Sequence, residues 1–315
     1  MSMQTESLHS TSGTTDVIRR PPLSIVVATT KPWPEICACL DSLLKQANAV
    51  GAEILVADGN GRGLPDMGSG SYEGVIWLKE LGASVFGLRK LGMCQARGEI
   101  IAITEDHCRV APNWCEQIIQ AHKDCPDAAA IGGAVDNGAT TSLIDWANFF
   151  LVFAPFVSPI RNGPSERICL QANISYKRRV VDRMASQLGV MEMLFTRQLQ
   201  KEGEVLIADD RLLFSHVQSH GFWRTFAAHF HNGRSIAGFR LEHLGSMERM
   251  LRLGSTAILP PYLLWSTLRP LVSKQRFLGQ VFSSLPMLAL LVCCHAAGEF
   301  VGYIAGPGRS PQRLA

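Results

Sequence analysis

Gly98-Glu-Ile-Ile-Ala-Ile-Thr104 runs without a break into Glu105-Asp106-His107. A short apolar run rich in β-branched residues reads as a buried parallel strand, and this one delivers three polar side chains at its carboxyl end. Upstream, Leu23-Ser-Ile-Val-Val-Ala28 has the same character and stops at Thr29 and Thr30. Glu53-Ile-Leu-Val-Ala-Asp58 stops on a carboxylate. Between these two runs, Pro32 and Pro34 open a segment, Trp33 to Gln46, with Ile36, Leu40, Leu43 and Leu44 at helical spacing. Gly59 to Gly74 reads as a loop and Val75 to Leu78 as a further strand. Downstream, Pro112 to Lys123 reads as a helix and Ala128 to Ala134 as a strand closing on Gly132-Gly133. Strand and helix in alternation predict an α/β fold, with a mostly parallel sheet and helices on both faces. In such sheets ligands sit beyond the carboxyl ends of the strands, where Thr29, Asp58 and Glu105–His107 fall.

The 315 residues, 47% of them hydrophobic, suffice for one large α/β domain and an appended module. A formal charge of +3 without any Lys/Arg run argues against nucleic acid as a partner. Nine cysteines without paired C-x-x-C knuckles exclude a structural zinc and fit a reducing compartment. Met1 to Arg20 is Ser/Thr-rich, without the apolar core of a signal peptide or anchor, and reads as a disordered leader. The catalytic part is therefore expected on the cytoplasmic face of a membrane.

Membrane attachment is expected from the other end. Gly254 to Leu268 carries no charge, and Val281 to Ala305 carries only Glu299. The latter is long enough to cross a hydrocarbon core of about 30 Å. His295 and Glu299 lie four residues apart and share a face, expected to turn toward protein or acceptor. The first segment, with Pro260-Pro261, is open to spanning, re-entering or lying in the interface. If both span, Arg240, Arg249, Arg252, Arg309 and Arg313 outside the segments, against Lys274 and Arg276 between them, favour a hairpin with both ends inside. The expected division is a leader (1–20), a ligand-binding α/β domain (21–245) and a membrane-associated helical region (246–315). Trp146 to Phe156, dense in aromatics, is open to a buried helix or a membrane face, with the membrane reading preferred.

Several stretches, taken in order, resemble the family-2 glycosyltransferases and their GT-A, Rossmann-like fold. They are Ser24-Ile-Val-Val-Ala-Thr-Thr30, Cys39-Leu-Asp-Ser-Leu-Leu-Lys-Gln46, Glu53 to Asp58, Ala96 to His107, Pro112-Asn-Trp114, Gln171 to Arg179 and Leu213-Phe-Ser-His216. Together they cover roughly Leu23 to Arg240.

The resemblance implies transfer of a sugar from a nucleotide-sugar donor to a membrane-associated or lipid-linked acceptor, with inversion. It implies that Asp58 accepts hydrogen bonds from the nucleotide base, flanked by Thr29 and Thr30. The family's acidic–x–acidic motif holds Mn²⁺ or Mg²⁺ against the diphosphate, and here Glu105 and His107 occupy its two acidic positions around Asp106. His107 departs from the motif, and either it or Asp106 is expected to ligate the cation. His216 is implied near the diphosphate or metal, and Asn173 in a donor- or acceptor-facing role. Glu192, opening a helix after the Asn-containing strand, is implied as the base that deprotonates the acceptor, with Asp209 and Asp210 as rivals. The competing reading is a catalytically degenerate nucleotide-sugar-binding or scaffold subunit of a membrane glycan assembly complex, suggested by the unusual Glu-Asp-His. A nucleotidyltransferase is disfavoured, because no Gly-rich phosphate loop with a basic signature lies near the start.

Overall fold

The computed structural model describes residues 20–60, 72–169, 172–183, 185, 192–241 and 244–314. Strand β1 (Leu23–Thr29) is buried along its whole length and alternates its side chains between two layers. Leu23, Ile25 and Val27 pack on helices α1 (Cys37–Val50) and α3 (Trp114–Asp124), through Leu40, Leu43, Trp114 and Ile118. Val26 faces the opposite layer with Met93 of α2 (Val85–Gln95). This two-residue alternation on a strand with no polar face is what requires helices on both sides of the sheet.

β1 pairs in parallel with β2 (Glu53–Asp58) and β4 (Ile100–Glu105), and β2 with β3 (Val75–Lys79). The sheet order continues through β8 (Ile174–Lys177), β6 (Ala128–Asn137), β9 (Val205–His216) and β5 (Cys108–Val110), with β7 (Gly163–Pro164) beside β9. This second half is mixed: β6 and β9 are parallel, whereas β8 runs antiparallel to both β4 and β6. Parallel pairing needs a crossover that returns the chain to the starting edge. After β6 the chain instead leaves and re-enters the sheet from the same end, by way of α4 (Leu143–Phe153).

Most of the aromatic stretch Trp146 to Phe156 is turned into the fold, not outward. Trp146, Phe149, Phe150 and Phe153 are buried in the core beneath the sheet, while Ala147 on the other flank of α4 packs on Leu288, Leu291 and Val292. An apolar helix sandwiched between a sheet and another helix needs aromatics on more than one stripe.

The chain then forms α5 (Arg178–Arg183), α6 (Glu192–Lys201), α7 (Phe222–Leu241), α8 (Ser246–Ser255), α9 (Leu259–Ser273) and α10 (Leu278–Ala305). Pro260 and Pro261 sit in the first turn of α9, where a missing N–H costs nothing. The 28 residues of α10 are long and apolar enough to cross a membrane. The helix packs along α7, with Gly298 against the backbone of Phe230 and Gly302 against Arg234 and Ala237. An added Cβ at Gly298 would collide with the Phe230 carbonyl. His295 and Glu299 share a face as expected, and it turns toward α7, where Glu299 pairs with Arg240 at 3.3 Å and with His295 at 3.5 Å. Gly298→Leu is therefore expected to lower stability by about 2–3 kcal/mol by prising the two helices apart. Chemical denaturation would read this directly, and a wild-type midpoint would refute the close packing.

Candidate active site

Three turns meet at one corner of the sheet. β1 ends at Thr29, β4 ends at Glu105, and β5 pairs antiparallel with the end of β9, which sets Cys108 opposite His216. The tight connection from β4 to β5 leaves Glu105-Asp106-His107 little conformational freedom. A cavity of about 220 Å³ opens there. Thr30, Lys31, Glu105, His107 and His216 come from the sheet, Arg89 from α2, Phe153 from α4, and His220 and Arg224 from the start of α7. Arg313 reaches it from the chain after α10.

Glu105 Oε2, His107 Nε2 and His216 Nε2 converge. The two imidazole nitrogens are 3.0 Å apart, and they lie 3.3 and 3.8 Å from the carboxylate oxygen. Asp106 stands behind them. Its Oδ1 accepts from His107 Nδ1 at 2.7 Å and from Lys31 Nζ at 3.0 Å, and its Oδ2 accepts from the Thr29 hydroxyl at 2.7 Å. Arg89 holds the other oxygen of Glu105 at 2.7 Å.

Charge follows this geometry. Burial alone would raise the Glu105 carboxyl, but the His107 hydrogen bond and the charges of His107, Arg89 and His216 hold it at about 2. Asp106 likewise sits at about 2 despite burial, through His107, Lys31 and Thr29. Burial lowers His107, yet its two carboxylate partners win and raise it above the ordinary imidazole value. His216 falls to about 3 through burial and the charge of His107. When His107 is protonated, its Nε2 can donate to His216 Nε2 at 3.0 Å.

The residues fit a divalent cation. One carboxylate oxygen and two imidazole nitrogens facing a common point form a borderline N/O ligand set, better suited to Mn²⁺ than to Mg²⁺. Cys108 has its sulfur within the same neighbourhood. Burial and the nearby Glu105 charge raise its thiol well above the usual range, so a cation that took the sulfur as a ligand would have to displace its proton. A cation must displace the Nε2 proton of His107, so affinity for it should climb with pH until His107 is neutral. The metal-free protein should behave oppositely. A raised histidine stabilises below its unfolded value and loses that contribution as pH rises through its folded value. Melting temperatures measured from pH 6 to 9, with and without Mn²⁺, are expected to diverge with increasing pH. Parallel curves would contradict the coupling.

Asp106 also lines the cavity, with its two oxygens hydrogen-bonded to Thr29, Lys31 and His107, so that it orients the imidazole. Thr29, expected beside the nucleotide, is 3% exposed and serves Asp106. Asn173 is a correction of the same kind. Its carbonyl accepts from Trp114 Nε1 at 2.9 Å and its amide donates to the Ala134 and Leu212 carbonyls, bracing β6 against β9. Thr30 does line the cavity. Asp58 ends β2 in register with Thr29 and accepts from the Asn60 N–H at 2.8 Å, outside the cavity lining. Glu192 opens α6, and its side chain lies outside the described residues.

The family profile described as Glycosyl transferase family 2 matches residues 24–184, just over half of the chain. The chain belongs to glycosyltransferase family 2. The match spans the strands that carry Thr29, Asp58 and the Glu105–His107 cluster, and the enzyme class is that of a glycosyltransferase. No curated protein matches it. Among solved structures it is similar to the crystal structure of S. aureus TarS 1–349, at 11% identity and a TM-score of 0.48, covering 89% of this chain and 90% of that one.

Sequence reasoning missed Lys31, Arg89 and Arg313. Arg89 lies mid-helix, where arginine normally points to water, yet it is 3% exposed. Arg313 reaches this family-2 cavity only because the chain after α10 folds back along α7, through His231 to Ser310 at 3.0 Å and Arg234 to the Gly306 carbonyl at 3.0 Å. No local signal marks either residue.

Proposed function

We propose that this family-2 enzyme moves a sugar, with inversion, from a nucleotide-sugar donor to a membrane-associated acceptor on the cytoplasmic side, using a divalent cation. The convergence of Glu105, His107 and His216 at the carboxyl end of the sheet carries the reading. There a cation would neutralise the departing diphosphate, assisted by Arg224 and Arg313. Glu192 would take the acceptor proton.

Attachment to the membrane is supported by apolar residues left exposed on the last three helices. They include Met247, Met250, Ile258, Trp265, Phe282 and Ile304. Lying against the bilayer accounts for this better than crossing it. Phe277, before α10, packs on Trp146 and Phe150, and Arg313, after it, reaches the catalytic cavity. The 15 residues of α9 span about 22 Å, too short for a hydrocarbon core.

A panel of nucleotide sugars, with and without Mn²⁺ or Mg²⁺, tests the first part. One donor is expected to raise the melting temperature only when metal is present. Metal-independent turnover would remove the cation from the scheme, and a product that keeps the donor's anomeric configuration would remove inversion. Full-length protein should sediment with membranes and come off in mild detergent. A protein soluble without detergent would sink the membrane reading.

A further inference from the structure

A second cavity, of about 430 Å³, lies between the segment Pro155–Cys169 and α9. It falls in the size range of small-molecule sites, about 300–1,000 Å³. Its walls carry Arg161, Arg167, Arg269 and Lys274, with no carboxylate among the described lining residues. Asp210, which acts electrostatically on Lys274, has its carboxylate engaged by Ser158 Oγ at 3.2 Å and the Ile160 N–H at 2.9 Å. Lys274 is held in place by its bonds to the Pro155 and Val157 carbonyls. Arg161 and Arg167 are exposed at its rim, and with Arg269 and Lys274 they give the cavity a positive lining that suits an anion.

The mouth of the cavity is apolar. Ile258, Tyr262, Trp265 and Val272 are exposed along one face of α9, at spacings of four, three and seven. Tyr262 and Trp265 also line the cavity. Arg269 lies 5.2 Å over the Trp265 ring, which keeps its guanidinium at the mouth instead of in bulk water. Tyrosine and tryptophan flanking an apolar helix face are the side chains that settle at a membrane–water boundary. A free anion would use the cations and leave this apolar face uncovered. A lipid with a phosphate headgroup uses both.

We propose that this cavity binds the phosphate headgroup of an anionic lipid whose chains cover the outer face of α9. The proposal rests on the membrane reading above. It adds a site outside the catalytic cavity, near it along the chain: Phe153 lines one and Pro155 and Phe156 the other, two and three residues on. A lipid held here brings the bilayer surface up to the catalytic corner.

The test uses the full-length protein and sedimentation with vesicles of phosphatidylcholine, alone or mixed with phosphatidylglycerol. Wild type is expected to prefer the anionic vesicles by about tenfold or more. Arg167→Gln/Arg269→Gln should lose most of that preference while keeping its donor-induced rise in melting temperature. Lys45→Gln/Lys90→Gln, which removes the same charge from exposed positions on α1 and α2, should keep it. Equal loss in both variants would make the attraction non-specific and overturn the site. An undiminished preference in the arginine variant would overturn the site and leave the membrane reading standing. Failure of wild type to bind either vesicle would end both. Displacement from vesicles by millimolar inorganic phosphate would identify a free-anion site and overturn the lipid assignment.

Discussion

His107→Ala/His216→Ala is expected to abolish metal-dependent donor binding and to lower turnover by about 10²-fold or more. The basis is the convergence of the two Nε2 atoms 3.0 Å apart beside Glu105. Losing even an outer-shell partner of a metal ligand costs about 10–100-fold, so losing two inner ligands should cost at least that. Both side chains are largely buried, so the double variant needs a check on folding. His107→Asp supplies one. It restores the acidic–x–acidic pattern, keeps a ligand in place, and should remain active with its preference moved from Mn²⁺ toward Mg²⁺, since carboxylates suit the harder ion. Donor affinity titrated against each metal measures this. Unchanged metal dependence in the alanine variant would dismantle the site. It would also revive the degenerate-subunit reading, if wild type too fails to turn over a donor.

Glu192→Gln is expected to cut turnover by about 10²–10⁴-fold with donor affinity nearly unchanged, because the amide keeps the shape of the side chain and cannot accept a proton. The two rivals look weaker than their sequence context suggests. Asp209 is held by Arg211 through Nε at 3.1 Å and a second nitrogen at 2.7 Å. Asp210 faces Ser158 and Ile160, beside the second cavity. Neither carboxylate lines the catalytic cavity. Single-turnover kinetics with saturating donor separate chemistry from binding. Wild-type rates in Glu192→Gln would return the role to another acid.

Local sequence determined the strands and their order. Leu23–Thr29, Glu53–Asp58 and Ile100–Glu105 are runs that no surface position would tolerate, and each ends on a residue able to bond a ligand. The placement of Glu105, His107 and His216 near one another was legible because a strand brings its terminal residues to a sheet edge. Side-chain direction was not legible. Asp106 and Thr29 stand in the motif, but the turn after β4 points them at each other, and adjacent residues on extended chain face opposite ways. Asn173 sits just before β8, where it meets two backbone carbonyls that its amide satisfies. The helices from Leu143 onward show the limit best. Apolar composition reports only that a face avoids water. Whether sheet, helix or lipid covers that face depends on what the rest of the chain brings against it. For Phe149 and Phe153 it is the sheet, for Gly298 it is α7, and for Trp265 and Phe282 nothing in the described fold covers them.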